Sequence, residues 1–185
     1  MVDFPTDNHG WSELLPPRLA VDSIQGAHRV PWVIVGAGLT GLACARRLAE
    51  LYLNNEVLLL DARLIGQGAS GRNSGFAVGV SHFPGPYEIQ DKENIDRVNR
   101  INQAGLTLLD QQITSQSIHC QWDNSGFHHG AADTKSIKEH GHFVNYLDAI
   151  GAEHNNLNQD DLKGRFGTSL YKAGVHVKTG ALVQP

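Results

Sequence analysis

The sequence has little of what marks several large classes of protein. It contains only two cysteines, Cys44 and Cys120, and neither belongs to a metal-binding Cys-x-x-Cys pair. Small secreted domains depend on many disulfides, so a reduced intracellular setting is the simplest interpretation. Lysine and arginine form no basic stripe and the net charge is -4. The electrostatic footprint of a nucleic-acid-binding protein is therefore missing.

Long apolar runs are also missing. The most apolar stretch, residues 30–45, is interrupted by glycines and followed by Arg46 and Arg47. A membrane-spanning helix needs about 20 consecutive apolar residues, and residues 1–10 lack the basic and apolar segments of a secretory signal. With 41% hydrophobic and 18% charged residues, the composition favours a folded core. We expect a cytoplasmic protein with neither membrane nor nucleic acid as a partner.

The apolar pattern near the start predicts an α/β arrangement. Residues 32–35 form a continuous apolar run, typical of a parallel strand covered on both faces. Helical spacing follows from Leu42 to Tyr52, which would place Cys44 inside a buried helix. Residues 57–60 then predict a second buried strand.

The remaining sequence predicts a mixed second half after an irregular lead-in over residues 1–29. Asp133 is predicted to cap a helix that runs from Thr134, buries Ile137, Val144 and Leu147, and stops at Gly151. Asn158 is predicted to cap a shorter helix. The other expected segments are an irregular stretch over 66–79, a helix over 93–113, a hairpin or bent strand over 118–132, the short helix over 159–165, and a last strand over 175–177.

A glycine motif, G-A-G-L-T-G over residues 36–41, lies at the first strand-to-helix junction. Gly36 permits a tight turn, Gly38 lets a pyrophosphate approach the backbone, and Gly41 lets the helix pack closely on the strand. The free N–H groups and the dipole of the following helix favour phosphate there. The motif therefore predicts a dinucleotide-binding turn.

Asp61 completes this fingerprint, because it ends the second predicted strand 20 positions after Gly41. An acid at this spacing accepts hydrogen bonds from ribose hydroxyls, and its charge disfavours the 2′-phosphate of NADP. A glycine turn that serves packing alone does not explain the strand, the helix and the acid together. NAD and FAD both remain open at this point.

The sequence after Asp61 separates these two cofactors. Residues 65–75 read I-G-Q-G-A-S-G-R-N-S-G. Here the chain resembles the D-amino acid oxidase-like family of FAD-dependent oxidoreductases, which includes glycine oxidase, sarcosine oxidase and gamma-glutamylputrescine oxidase. The resemblance is close over residues 30–80 and fainter around Trp11 and in later segments. An NAD-dependent dehydrogenase shares the glycine motif but gives no reason for residues 68–75.

The resemblance implies a fold and a set of FAD-binding residues. The fold is α/β, with a Rossmann-type FAD-binding βαβ segment over 30–90 and, over 91–185, a helical connection and the truncated start of an α+β substrate domain. In the family the loop runs along the FAD diphosphate, which implies diphosphate binding by Ser70, flavin or ribityl proximity for Asn73, and adenosine proximity for Arg63. The predicted cofactor-binding residues are Gly36, Gly38, Thr40, Gly41, Asp61, Arg63, Ala69, Ser70, Asn73 and Gly75.

The resemblance also implies the chemistry, which is oxidation of the C–N bond of an amine or amino acid to an imine by hydride transfer to flavin. Some relatives bind FAD covalently through a histidine that aligns with Asn73; asparagine cannot form this bond, so non-covalent FAD is expected. An NAD-dependent dehydrogenase domain and an inactive truncated or structural subunit remain as alternatives. His82, Phe83 and Tyr87 are candidates to line the substrate pocket, and no catalytic residue is predicted.

Two predicted parallel strands are too few for a doubly wound domain. We therefore expect a C-terminal half or a second subunit to complete the sheet, and the chain alone to be inactive. Ten histidines raise the question of a metal site. However, His128 and His129 would alternate across a strand, and His140 and His142 would face different sides of a helix. No metal site is predicted.

Overall fold

The computed structural model describes residues 9–16, 23–82, 86 and 92–185. The chain divides into two compact units, one formed by the described residues up to Ser74 together with Pro185, and the other by Gly75–Gln184. The first unit contains α1 (Gly10–Glu13), β1 (Trp32–Val35), α2 (Leu39–Leu51), β2 (Val57–Leu60) and a 3₁₀ turn (Ala69–Gly71). The second contains β3 (Phe76–Val78), α3 (Lys92–Ser115), β4 (Phe127–Ala131), α4 (Thr134–Ile150), β5 (His154–Asn158), α5 (Gln159–Phe166), β6 (Ala173–Val177) and β7 (Gly180–Leu182).

The first unit confirms the predicted strand–helix–strand order. β1 and β2 pair in parallel, with Trp32 opposite Val57 and Val35 opposite Leu60. The expectation that both faces of β1 are covered is wrong, since Val35 is 84% exposed. The helix α2 has no buried residue, and Cys44 within it is exposed. One packed helix can cover only one face of a two-stranded sheet, so the other face lies open in the described chain.

The second unit is antiparallel and has its own core. β6 lies between β4 and β5 in a three-stranded sheet, and β3 pairs with β7. Val175 and Val177 of β6 are fully buried, and Leu147 of α4 is fully buried in the same cluster. Leu162 of α5 packs near Gly174, where an added Cβ would lie 3.1 Å from its Cδ2 atom. The unit is therefore an α+β arrangement with helices near both faces of one sheet.

The predicted helix boundaries in the second unit are confirmed by their caps. The side chain of Asp133 accepts a hydrogen bond from the N–H of Ser136 at 2.7 Å, and Gly151 ends α4 with φ 65°. The side chain of Asn158 accepts from the N–H groups of Asp160 and Asp161 at the start of α5. These signals are local, so the sequence alone was enough to place them.

Several sequence predictions are wrong. Ile137 was expected to point inward but is 41% exposed, because Phe143, Tyr146 and Leu147 form the buried face of α4. For residues 118–132, the alternative of a hairpin is wrong, whereas a single strand, β4, does lie there and pairs with β6. The structure also adds the unpredicted elements α1, β3, β5 and β7, so that β6 is not the last strand. Among the described residues, no helix is both long and apolar enough to cross a membrane.

Candidate dinucleotide site

The glycine turn, residues 36–41, follows β1 at the edge where both parallel strands end. The N–H of Gly36 donates to the carbonyl oxygen of Leu60 at 2.7 Å, which ties the turn to the end of β2. Gly36 has φ +99°, a conformation that disfavours any residue with a Cβ. No atom lies within 4 Å of the place its Cβ would take, so the surface above this residue is open.

Gly41 has the packing role that the motif predicts. A Cβ built on it would lie 1.8 Å from the carbonyl oxygen of Gly36 and 3.5 Å from Cγ2 of Ile34. Both the turn backbone and β1 thus press against the first turn of α2. Only glycine allows this approach, because the nearest atom belongs to the backbone and cannot rotate away.

Asp61 ties the glycine turn to the segment after β2. Its Oδ2 accepts a hydrogen bond from the N–H of Ala37 at 2.7 Å, and its Oδ1 accepts from the N–H of Arg63 at 2.8 Å. These two hydrogen bonds lower the pKa of Asp61, and the one from Ala37 has the larger effect. A carboxylate has about four acceptor positions, so it retains capacity for ribose hydroxyls.

Ser70 lies over the beginning of α2. Its Oγ accepts a hydrogen bond from the N–H of Leu39 at 3.0 Å. A Cβ on Gly38 would lie 2.8 Å from the same oxygen, so the absence of a side chain at Gly38 lets the hydroxyl approach. A helix N-terminus favours anions. Ser70, predicted from the resemblance, therefore lies beside the N–H groups to which a diphosphate would be attracted.

The segment that carries Ser70, residues 66–73, is called the serine loop here. Its backbone closes on itself, and a Cβ on Gly71 would lie 2.0 Å from the carbonyl oxygen of Gly66. Asn73 Nδ2 donates to the carbonyl of Ser70 at 2.7 Å, and Arg72 Nε donates to that of Gln67 at 3.0 Å. Gly71 was not among the predicted site residues, although the repeated glycines of the loop were a signal for it.

Two further contacts on the serine loop were missed by sequence reasoning. The Nε2 atom of His9 lies 3.1 Å from the carbonyl oxygen of Gly66. The indole Nε1 of Trp11 donates to the carbonyl oxygen of Asn73 at 2.9 Å. The only sequence signal was the faint resemblance around Trp11, which pointed to no partner.

The predicted site residues are divided between the two units. Gly75 belongs to the second unit, where it has φ +75° and its carbonyl oxygen accepts from the N–H of Val183. Thr40 and Ala69 are exposed in the first unit. A terminal nitrogen of Arg63 lies 3.7 Å from the place a Cβ on Gly68 would take, which puts this side chain beside the serine loop.

Of the three predicted pocket residues, Phe83 and Tyr87 lie outside the described residues. The ring of His82 packs 4.7 Å from that of Phe143 and 5.0 Å from that of His129, between ring centroids. The second unit also carries an open cleft of about 350 Å³ between α3 and the end of α4, and His82 is not among its lining residues. His82 thus belongs to an aromatic cluster.

The histidines of β4 lie in two different environments. The ring of His128 stacks on that of His176 at 4.4 Å, while His129 faces His82 and also His140, whose centroid is 6.3 Å away. The pKa of His129 is lowered mainly by burial and to a smaller extent by the charges of His82 and His140. Burial lowers the pKa of His140 as well. Among the described residues, no three His, Cys, Asp or Glu side chains converge on a metal-sized position.

A parallel βαβ start, a glycine turn at its carboxyl edge and an acid after the second strand define a dinucleotide-binding segment of the Rossmann type. The family model for FAD-dependent oxidoreductases, abbreviated DAO, matches residues 31–185. The chain belongs to this family. This family is FAD-dependent, which favours FAD over NAD as the cofactor to test.

Individual proteins agree with this family. The probable oxidoreductase OrdL of Haemophilus influenzae is 32% identical over 91 residues, which are 48% of this chain and 21% of that protein. Glycine oxidase from Geobacillus kaustophilus superposes with a TM-score of 0.68 at 17% identity, over 85% of this chain and 41% of that chain. L-Amino acid deaminase from Proteus myxofaciens gives 0.63 at 16% identity, over 90% and 36%. The chain thus spans a minor part of the length of each.

Proposed function

We propose that this chain supplies the FAD-binding segment and part of the substrate domain of an enzyme that oxidises the C–N bond of an amine or amino acid to an imine. The observation that carries the proposal is the glycine turn joined to Asp61 and Ser70. The site combines an open surface at Gly36, a hydroxyl over a helix N-terminus and an ionised carboxylate beside the turn. These groups match the diphosphate and the ribose of one dinucleotide.

Each residue of the site has a part in holding FAD. The N–H groups at the start of α2 and the hydroxyl of Ser70 would hold the diphosphate, since the helix dipole favours negative charge there. Asp61 would accept hydrogen bonds from the adenosine ribose, and its own bonds to Ala37 and Arg63 fix its orientation. Asparagine at position 73 supports non-covalent attachment, because its amide cannot form a bond to the flavin.

The chemistry of the proposed reaction belongs to the bound cofactor, which accepts the hydride from the carbon next to nitrogen. Two observations support an amine or amino acid as the donor. The names of the two structural neighbours state glycine and L-amino acids as their substrates, and the resemblance at residues 65–75 is to amine and amino-acid oxidases. The completing strands and the groups that bind the substrate carboxylate are proposed to lie in a further segment or a second subunit.

A spectral experiment tests the cofactor and the reaction separately. Purified full-length native protein is expected to show flavin absorption, and acid precipitation is expected to release this flavin into the supernatant. A colourless protein that takes up no added FAD contradicts the cofactor assignment. Flavin that stays with the precipitate contradicts non-covalent binding. Addition of amino acids and amines without oxygen is then expected to bleach the flavin, and a panel that leaves the colour unchanged contradicts the reaction class.

A further inference from the structure

The short helix α1 and its N-cap residue His9 contact the two ends of the serine loop. His9 reaches the carbonyl oxygen of Gly66, the first residue of the loop, and Trp11 donates to that of Asn73, the last residue. These two contacts join positions 57 and 62 residues apart in sequence. Helix α1 itself is fixed by local bonds between His9 and Ser12. The segment from His9 to Glu13 therefore bridges the two ends of the serine loop.

The contact of Trp11 continues into the proposed diphosphate site. The backbone of Asn73 accepts from Trp11, while its side chain donates to the carbonyl of Ser70 at 2.7 Å. The hydroxyl of Ser70 in turn accepts from the N–H of Leu39 at the start of α2 at 3.0 Å. One chain of hydrogen bonds thus runs from α1 through the serine loop to the helix end at which the diphosphate is proposed to bind.

The external contacts add to the internal hydrogen bonds of the serine loop. Apart from one 3₁₀ turn it has no regular secondary structure. Ordering a loop of this kind costs conformational entropy at each residue. If the loop must order only when its ligand binds, the ligand loses that part of its binding energy. Contacts that hold the loop ready beforehand therefore raise affinity without touching the ligand.

We infer that His9 and Trp11 are positioning residues that hold the serine loop in the form that binds FAD. This inference rests on the proposed function, because the loop is taken to contact the FAD diphosphate. It adds a role for α1, a segment that lies ahead of the glycine turn in the sequence. Neither residue is a catalytic residue, since both act through the backbone of the loop.

The test uses the full-length native protein with Trp11→Phe, which keeps an aromatic side chain but replaces the indole with a smaller ring that has no N–H. Trp122→Phe is the matched control, because the buried indole nitrogen of Trp122 in the second unit has no hydrogen-bond partner among the described residues. Apoprotein is titrated with FAD by the quenching of flavin fluorescence. Loss of one hydrogen bond predicts FAD binding weaker by about three- to tenfold for Trp11→Phe, and unchanged binding for Trp122→Phe.

A second readout needs no FAD. Trypsin is expected to cut apoprotein after Arg72 faster in Trp11→Phe than in the wild type, while the unfolding temperature stays the same. If FAD affinity and cleavage after Arg72 in Trp11→Phe match those of Trp122→Phe, the inference is overturned. A parallel fall in unfolding temperature with cleavage throughout the chain also overturns it, because the role would then be general stability. If the wild type binds no FAD but Arg72 is still exposed in Trp11→Phe, the proposed function fails and the bridging contact stands.

The contact of His9 offers a rescue experiment. His9→Leu removes the ring nitrogen that faces Gly66, whereas His9→Gln keeps a side-chain N–H of comparable reach. We expect His9→Leu to weaken FAD binding by several-fold and His9→Gln to restore most of it. Equal affinity of both variants with the wild type would show that this contact does not position the loop.

Discussion

The two units of this chain are built in contrasting ways. The candidate site of the first unit depends mainly on backbone, since glycines at 36, 38 and 41 bring main-chain groups together and main-chain N–H groups orient Asp61 and Ser70. The second unit depends on side-chain burial around Leu147, Val175 and Val177. The first unit is therefore expected to be destabilised mainly by side chains added at its glycines. The second unit is expected to be destabilised mainly by the removal of buried side-chain atoms.

The largest effect is expected for Gly41→Val in the first unit. The new Cβ would overlap the carbonyl oxygen of Gly36, 1.8 Å away. Since backbone cannot move aside cheaply, the variant is expected to lose about 3 kcal/mol or more of stability and to bind no FAD. Thermal unfolding and flavin content measure both effects.

Gly105→Ala is the matched control for this variant. No atom lies within 4 Å of a Cβ at Gly105 in α3, and alanine favours helix over glycine. We expect its stability to be equal to or slightly higher than that of the wild type. If both variants were as stable as the wild type, the claim that Gly41 has no room for a side chain would be contradicted.

Removal of a buried side chain is expected to have the next largest effect, in the second unit. Leu147→Ala deletes a side chain that is fully buried in the core, so we expect a loss of about 2–5 kcal/mol in the free energy of unfolding. Denaturant titration of the full-length protein measures it. Ile137→Ala on the same helix is the control, because Ile137 is 41% exposed and the loss should be much smaller. Losses of equal size would contradict the core described here.

These expectations show which parts of the structure the sequence could predict. Local signals were sufficient for the glycine turn, for the N-cap Asp133 and for the stop at Gly151, because each acts within a few residues. The polar strand β5 was not predictable, since its conformation depends on pairing with β6. The pairing of β3 with β7 joins residues more than a hundred positions apart, and no local pattern encodes it. In the site, Asp61 was predictable by spacing, whereas the contact of Trp11 with Asn73 depends on tertiary structure.

A smaller effect is expected from pH in the second unit. The pKa of His129 is lowered, chiefly by burial, so the unfolded state binds this proton more readily. Burial of neutral His129 therefore contributes its full stability above the unfolded pKa of about 6.5. This contribution is lost as the pH falls from there toward the pKa of His129 in the folded protein. The unfolding temperature is expected to fall between pH 7.5 and 5.5, and less steeply in His129→Phe. If the unfolding temperature changed equally with pH in the wild type and in His129→Phe, this assignment would be contradicted. The control is His119→Gln, which replaces an exposed histidine.

The smallest pH effect is expected at Asp61 in the first unit. Its pKa is lowered from 3.8 by hydrogen bonds from Ala37 and Arg63. Its stabilising contribution is present above the unfolded pKa and is lost as pH falls through the folded value. FAD affinity should therefore show no dependence on Asp61 between pH 5 and 8, whereas Asp61→Asn should weaken binding at every pH in this range. Wild-type affinity that follows a titration near pH 6, and does so only while Asp61 is present, would contradict the ionised carboxylate.

The central claim is that the lack of a side chain at Gly38 lets Ser70 and a diphosphate meet at the start of α2. Gly38 has φ −81°, so Gly38→Val introduces no backbone strain, and its Cβ would lie 2.8 Å from Ser70 Oγ. FAD titration of this variant in the full-length protein is the most direct measurement. The account predicts affinity lower by at least about tenfold with a nearly unchanged unfolding temperature. Wild-type FAD affinity in Gly38→Val would contradict it.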